Sequence, residues 1–191
     1  MKKIIYTIVL MVSLLMGGFM NVENYKDTIL QSTVDRYYRV EPEIYYASDA
    51  YNVPFDIIAA ILFTESRFND NAVSSTGVTG IVQCTSALAK QYDVDKNTVS
   101  GQIYGLSRIL RDKFDNLPDY YTDEDKWMIC VVIWNSGKGN KKTGYWAAKR
   151  HYKSLGFTGS DITVKRILKF YRKEGRDYYQ KILDARQMFK E

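Results

Sequence analysis

The chain has 191 residues, 46% of them hydrophobic and 26% charged, a balance that excludes a disordered protein and fits a globular one. Two cysteines, Cys84 and Cys130, and one histidine, His151, are too few for a zinc site of three or four good ligands. The net charge of +5 is uneven: residues 138–191 carry 15 Lys/Arg against 5 Asp/Glu, and residues 1–137 carry 12 against 17, so the C-terminal part attracts polyanions.

Met1, Lys2 and Lys3 precede an apolar run from Ile4 to Met20, the layout of an export signal. The run is long for a signal-peptide core (~7–15 residues) and short for a comfortable membrane span (~20). Export is therefore predicted, with residues 1–20 either cut or kept as a membrane anchor. In an exported chain the basic C-terminal part faces the wall or a membrane surface, and no nucleic-acid partner is expected. Residues 21–42 are polar and tyrosine-containing and read as a lead-in. From Glu43 the pattern is helical, and one mostly α domain over 43–191 is predicted, with helices near 43–51, 55–68, 79–92, 98–115, 123–135, 143–154, 161–173 and 175–188. No period-2 stretch bounded by hairpin turns suggests a strand. Both cysteines lie in apolar stretches, where inert buried thiols are the rule; in an exported protein a single disulfide between them is the alternative.

The helix after Asn52-Val53-Pro54 is the most informative. Ile58, Ile61, Leu62, Glu65 and Phe68 share one face by helical spacing. A carboxyl group on an apolar stripe near a helix C-terminus is disfavoured in its ionised form. That is the state a general acid needs, although a structural glutamate gives the same pattern and is favoured by the pattern alone. A turn-rich segment follows, from Ser66 to Gly80, with Gln83 just beyond it. A later helix opens at Thr122-Asp123-Glu124-Asp125 and runs through Trp127 to Trp134, apolar all round, as a central buried helix would be. It stops at Asn135-Ser136-Gly137, which reads either as an ordinary helix stop or as delivery of Trp134 and Asn135 into a cleft.

Taken together and in this order, three groups of residues resemble the motifs of soluble (SLT-type) lytic transglycosylases, relatives of goose-type lysozyme. The first is Glu65-Ser66-Arg67-Phe68 with Ala72-Val73-Ser74 and Gly77-Val78-Thr79-Gly80-Ile81-Val82-Gln83. The second is Ile133-Trp134-Asn135-Ser136-Gly137, and the third is Glu174-Gly175-Arg176-Asp177-Tyr178-Tyr179. The chain departs from the family pattern at Thr85 and Ser86, where a methionine and a proline are usual, and at Trp134, usually tyrosine. The resemblance implies a lysozyme-like helical fold and cleavage of the peptidoglycan bond between N-acetylmuramic acid and N-acetylglucosamine, ending in a 1,6-anhydro ring. It implies Glu65 as the single acid and base, with Ser74, Gln83, Trp134, Asn135 and Tyr178 around the sugar, and no metal or cofactor. Two rival readings accompany it. A hydrolytic muramidase would carry a second carboxylate to position water. A wall-binding scaffold component of a secretion or phage machine would have a blocked cleft or Glu65 tied up in an ion pair.

Overall fold

The computed structural model describes residues 22–137, 139 and 142–190; the apolar N-terminal segment lies outside them. The described residues are mostly helical, as expected. Eight helices form among them: α1 (Val22–Tyr51), α2 (Phe55–Ser66), α3 (Ser86–Gln91), α4 (Val99–Asp115), α5 (Asp123–Ser136), α6 (Gly144–Ser154), α7 (Val164–Leu168) and α8 (Lys173–Phe189). The β-structure among them is an isolated antiparallel bridge between Val73 and Thr79. None of these helices is long and apolar enough to cross a membrane.

Three predicted boundaries move, each for a local reason. The helix expected from Glu43 begins at Val22 and takes in the lead-in segment. Its buried stripe of Leu30, Val34, Tyr37, Val40, Ile44 and Ala47 keeps helical spacing straight past the exposed Pro42, whose missing N–H costs one backbone bond. The helix expected over 79–92 is only Ser86–Gln91, because Gly80 (φ +102°) and Gln83 (φ +49°) take left-handed conformations that no helix accommodates. The helix expected over 161–173 breaks into a 3-10 turn at Gly159–Asp161 and the short α7.

The chain divides into two compact units: the described residues up to Leu106 together with those from Ala185 onward, and residues 107–184. In the first, α2 is buried along Ile57–Phe63. An aromatic cluster joins α1, the end of α2 and the end of α8. Phe68 stands edge-on to Phe189 at 5.8 Å, and Tyr37 lies 5.3 Å from Phe68 and 5.5 Å from Phe189. Arg186 Nε donates to Asp56 Oδ2 at 2.8 Å, with both side chains nearly covered, and so ties the end of α8 to the first turn of α2.

In the second unit, α5 is buried from Lys126 through Ile133, as its all-round apolar sequence predicts. Thr122 caps it by accepting from the Asp125 amide at 3.1 Å. Trp127 packs on Phe114 with ring centres 4.1 Å apart. Lys126, though buried, keeps its charge paired with Asp119 at 2.8 Å and places its ammonium 5.0 Å from the Phe114 ring. Cys84 and Cys130 are both buried, and no disulfide joins them.

Candidate active site

Glu65 is the penultimate residue of α2 and is half-buried. The turn behind it is unusual. Arg67 (φ +53°) and Phe68 (φ +58°) are consecutive left-handed residues, neither of them glycine, and such residues cost of order 1–3 kcal/mol each. Two features offset that cost. The Arg67 and Phe68 amides bond back to the Phe63 and Leu62 carbonyls at 2.9 and 3.4 Å, and the Phe68 ring is fully buried in the aromatic cluster. The sharp stop ends α2 immediately after Glu65 and Ser66 and turns the chain into the loop that follows.

That loop is a self-supporting hairpin. The Ser74 amide donates to the Val78 carbonyl at 2.8 Å, and the Gly80 amide to Ala72 O at 3.0 Å. Ser74 Oγ accepts from the Val78 amide at 2.9 Å, so this side chain helps build the turn. Gln83 Nε2 donates to Gly80 O at 2.7 Å and to Ala72 O at 3.2 Å. With both amide hydrogens committed, Gln83 has its Oε1 to offer a ligand. Gly80 is held to glycine twice over: by its φ, and because a Cβ there would run into the Gln102 amide. Ser74 and Gln83 are thus brought together in one braced loop, which leaves directly from the helix of Glu65.

In the second unit Trp134 is half-buried on the last turn of α5, and Asn135 is exposed beside it. Ser136 Oγ donates to Asn135 Oδ1 at 2.8 Å, which leaves the Nδ2 hydrogens as the donors of that amide. Gly175, in the first turn of α8, lies against this pair: a Cβ there would meet Ser136 Oγ at 2.6 Å. The second and third sequence motifs therefore meet through Ser136 and Gly175. Tyr171 clips the same region, donating to Gly137 O at 3.1 Å and accepting from the Tyr145 amide at 3.2 Å. The Gly144 amide bonds to Phe170 O at 2.8 Å. Burial pushes the Tyr171 hydroxyl up to about 12, so it stays protonated and able to donate throughout the physiological range. Tyr178 is buried on α8.

Of the six residues singled out from sequence, Glu65, Ser74 and Gln83 belong to the first unit, and Trp134, Asn135 and Tyr178 to the second. Sequence reasoning missed Ser136, Gly175 and Tyr171. The signal for Gly175 was a glycine in the opening turn of a helix, a residue that pays backbone entropy there and so has a packing reason. Ser136 and Tyr171 left no pattern, since their roles rest on contacts distant in the chain.

Comparison with known proteins identifies the family. The transglycosylase SLT domain matches residues 43–154, and the chain belongs to that family. Similar curated proteins include the membrane-bound lytic murein transglycosylase F of Desulfosudis oleivorans, 29% identical over 74% of this chain and 30% of the relative. That of Shewanella woodyi is 30% identical over 71% and 27%, and the membrane-bound lytic murein transglycosylase F 2 of Alkalilimnicola ehrlichii is 29% identical over 58% and 24%. The chain thus spans less than a third of the length of each of these relatives.

Proposed function

We propose that this protein is a peptidoglycan lytic transglycosylase acting in the bacterial envelope, with Glu65 as its one acid and base. The observation that carries the reading is the position of Glu65. It stands in the motif Glu65-Ser66-Arg67-Phe68 within the matched family segment, half-buried, at the end of an apolar helix that two strained residues terminate. Strain of this kind gathers where a side chain must be aimed.

In the proposed reaction, protonated Glu65 donates its proton to the glycosidic oxygen leaving C1 of the muramoyl sugar. The sugar's own acetamido oxygen covers C1 as the bond breaks. Glu65, now a carboxylate, takes the proton of the C6 hydroxyl as that oxygen bonds to C1 and the acetamido group leaves. Glu65 ends protonated as it began, and no water is consumed. Gln83 Oε1 is suited to accept from a sugar hydroxyl or amide, and the Asn135 Nδ2 hydrogens to donate to an acetamido carbonyl. Ser74 braces the loop that bears Gln83, while Trp134 and Tyr178 complete the proposed sugar-contacting set. Donors and acceptors fixed before substrate arrives need no reorganisation as charge develops.

Relatives named as membrane-bound and the apolar run behind Lys2 and Lys3 support the envelope as the place of action. The test is a digest of purified peptidoglycan read by mass spectrometry. Products one water lighter than ordinary muropeptides are expected, and Glu65→Gln should lose them while keeping its circular dichroism and melting temperature. Reducing-end products would replace the proposal with a muramidase, and an active Gln variant would overturn the role of Glu65.

A further inference from the structure

The lysines and arginines of the C-terminal part have no role in the chemistry just described, and the structure gathers four of them around one helix. On α6, Tyr145, Ala147, Ala148 and Tyr152 are buried, whereas Trp146, Lys149, Arg150 and Lys153 follow at i, i+3, i+4 and i+7 on the outward face. Trp146 is 42% exposed, and the Lys149 ammonium lies 5.7 Å from its ring centre. A depression flanks this ridge on each side. The larger, about 670 Å³, is lined by Lys142, Arg150, His151, Lys153 and Phe170. The smaller, about 180 Å³, is lined by Tyr120, Lys149, Lys153 and Phe157. Lys153 borders both. Among the described residues, neither depression is lined by an acidic side chain.

We propose that this face of α6 is a second docking surface for the wall polymer, binding anionic stretches of glycan outside the catalytic site. Its chemistry matches that ligand in two respects. Exposed aromatic faces offer flat apolar platforms to sugar rings, and the ammonium and guanidinium groups between them match the carboxylates that peptidoglycan carries on its peptide stems. An anionic bilayer would offer the same cations a partner, and the vesicle arm of the experiment below separates it from the wall polymer. The inference rests on the reading of this chain as a wall enzyme. It adds a surface that holds the protein on insoluble substrate between cuts, raising the local concentration of bonds within reach of the site.

Binding and cleavage are measured separately, so that each reading can fail alone. The full chain carrying Glu65→Gln is sedimented with purified insoluble peptidoglycan at low salt, with and without Lys149→Glu/Lys153→Glu, and separately with Trp146→Ala. The charge reversal is expected to lower the pelleted fraction at least about fivefold and to abolish most of its salt dependence. The tryptophan change should lower it with the salt dependence retained. In the active chain, the charge reversal should slow digestion of intact wall and leave turnover of short soluble glycan fragments unchanged. Unaltered sedimentation would overturn the proposal, as would an equal fall on soluble and insoluble substrate. So would loss of binding confined to phosphatidylglycerol vesicles run in parallel. If Glu65→Gln stays active, the catalytic assignment fails and the sedimentation result still stands.

Discussion

Ser136 holds the Asn135 Oδ1, and its hydroxyl lies where a side chain at residue 175 would begin. Gly175→Ala is therefore expected to act through a rotamer. The serine hydroxyl can swing clear of the new methyl, which spares the fold and gives up the bond to Asn135. Losing one hydrogen bond of about 1 kcal/mol should lower kcat about fivefold, with KM and melting temperature little changed. Ser136→Ala should do the same. The double variant should be no worse than either single one, since both remove one interaction; additive losses in a steady-state comparison would show that the two residues act independently.

At the scale of elements, the start of α4 depends on a small network of side chains. Asp95 accepts from the Asn97 amide at 2.8 Å and from Thr98 Oγ1 at 2.8 Å, and Thr98 Oγ1 in turn accepts from the Gly101 amide at 3.1 Å. The Asn97 amide, then the Thr98 hydroxyl, hold the Asp95 carboxyl below the usual carboxylate range. A carboxylate whose native pKa is depressed lends stability above its unfolded pKa, about 3.9, and loses it as pH falls through the lower native value. Asp95→Asn should accordingly flatten the acid limb of a stability-versus-pH curve below about pH 4. Thr98→Ala should cost about 1 kcal/mol at neutral pH in denaturant titrations.

The same scale shows how far a sequence can be read. The α2 and α5 helices were legible because an unbroken apolar pattern carries them, and Thr122 marks the start of α5 as its type predicts. The long α1 was not, because Tyr37 and the buried Thr33 carry part of its core face and Pro42 interrupts the reading. Gln83 was legible as a site residue through its motif. The left-handed backbone that places it was not, since nothing in a glutamine advertises a positive φ.

For the whole molecule, the ion pair of Asp56 and Arg186 holds together parts of one compact unit separated by 130 positions. With both groups nearly covered, removing one partner strands a buried charge, a cost of about 3–5 kcal/mol. Arg186→Ala should destabilise the fold by about that much in urea titration. Replacing both partners with Asp56→Leu/Arg186→Met should recover much of the loss; a double variant as weak as the single would mean that packing, not charge, is what Arg186 supplies.

That separation also sets an order of events in the life of the chain. The helix of Glu65 is made early, yet its aromatic neighbour Phe189 and its ionic partner Arg186 are made only after residues 107–184 have been synthesised. Closing so long a loop comes late and slowly. A nascent chain thus lacks the contacts that complete the first unit until its last residues are made, and stays pliable through most of its synthesis.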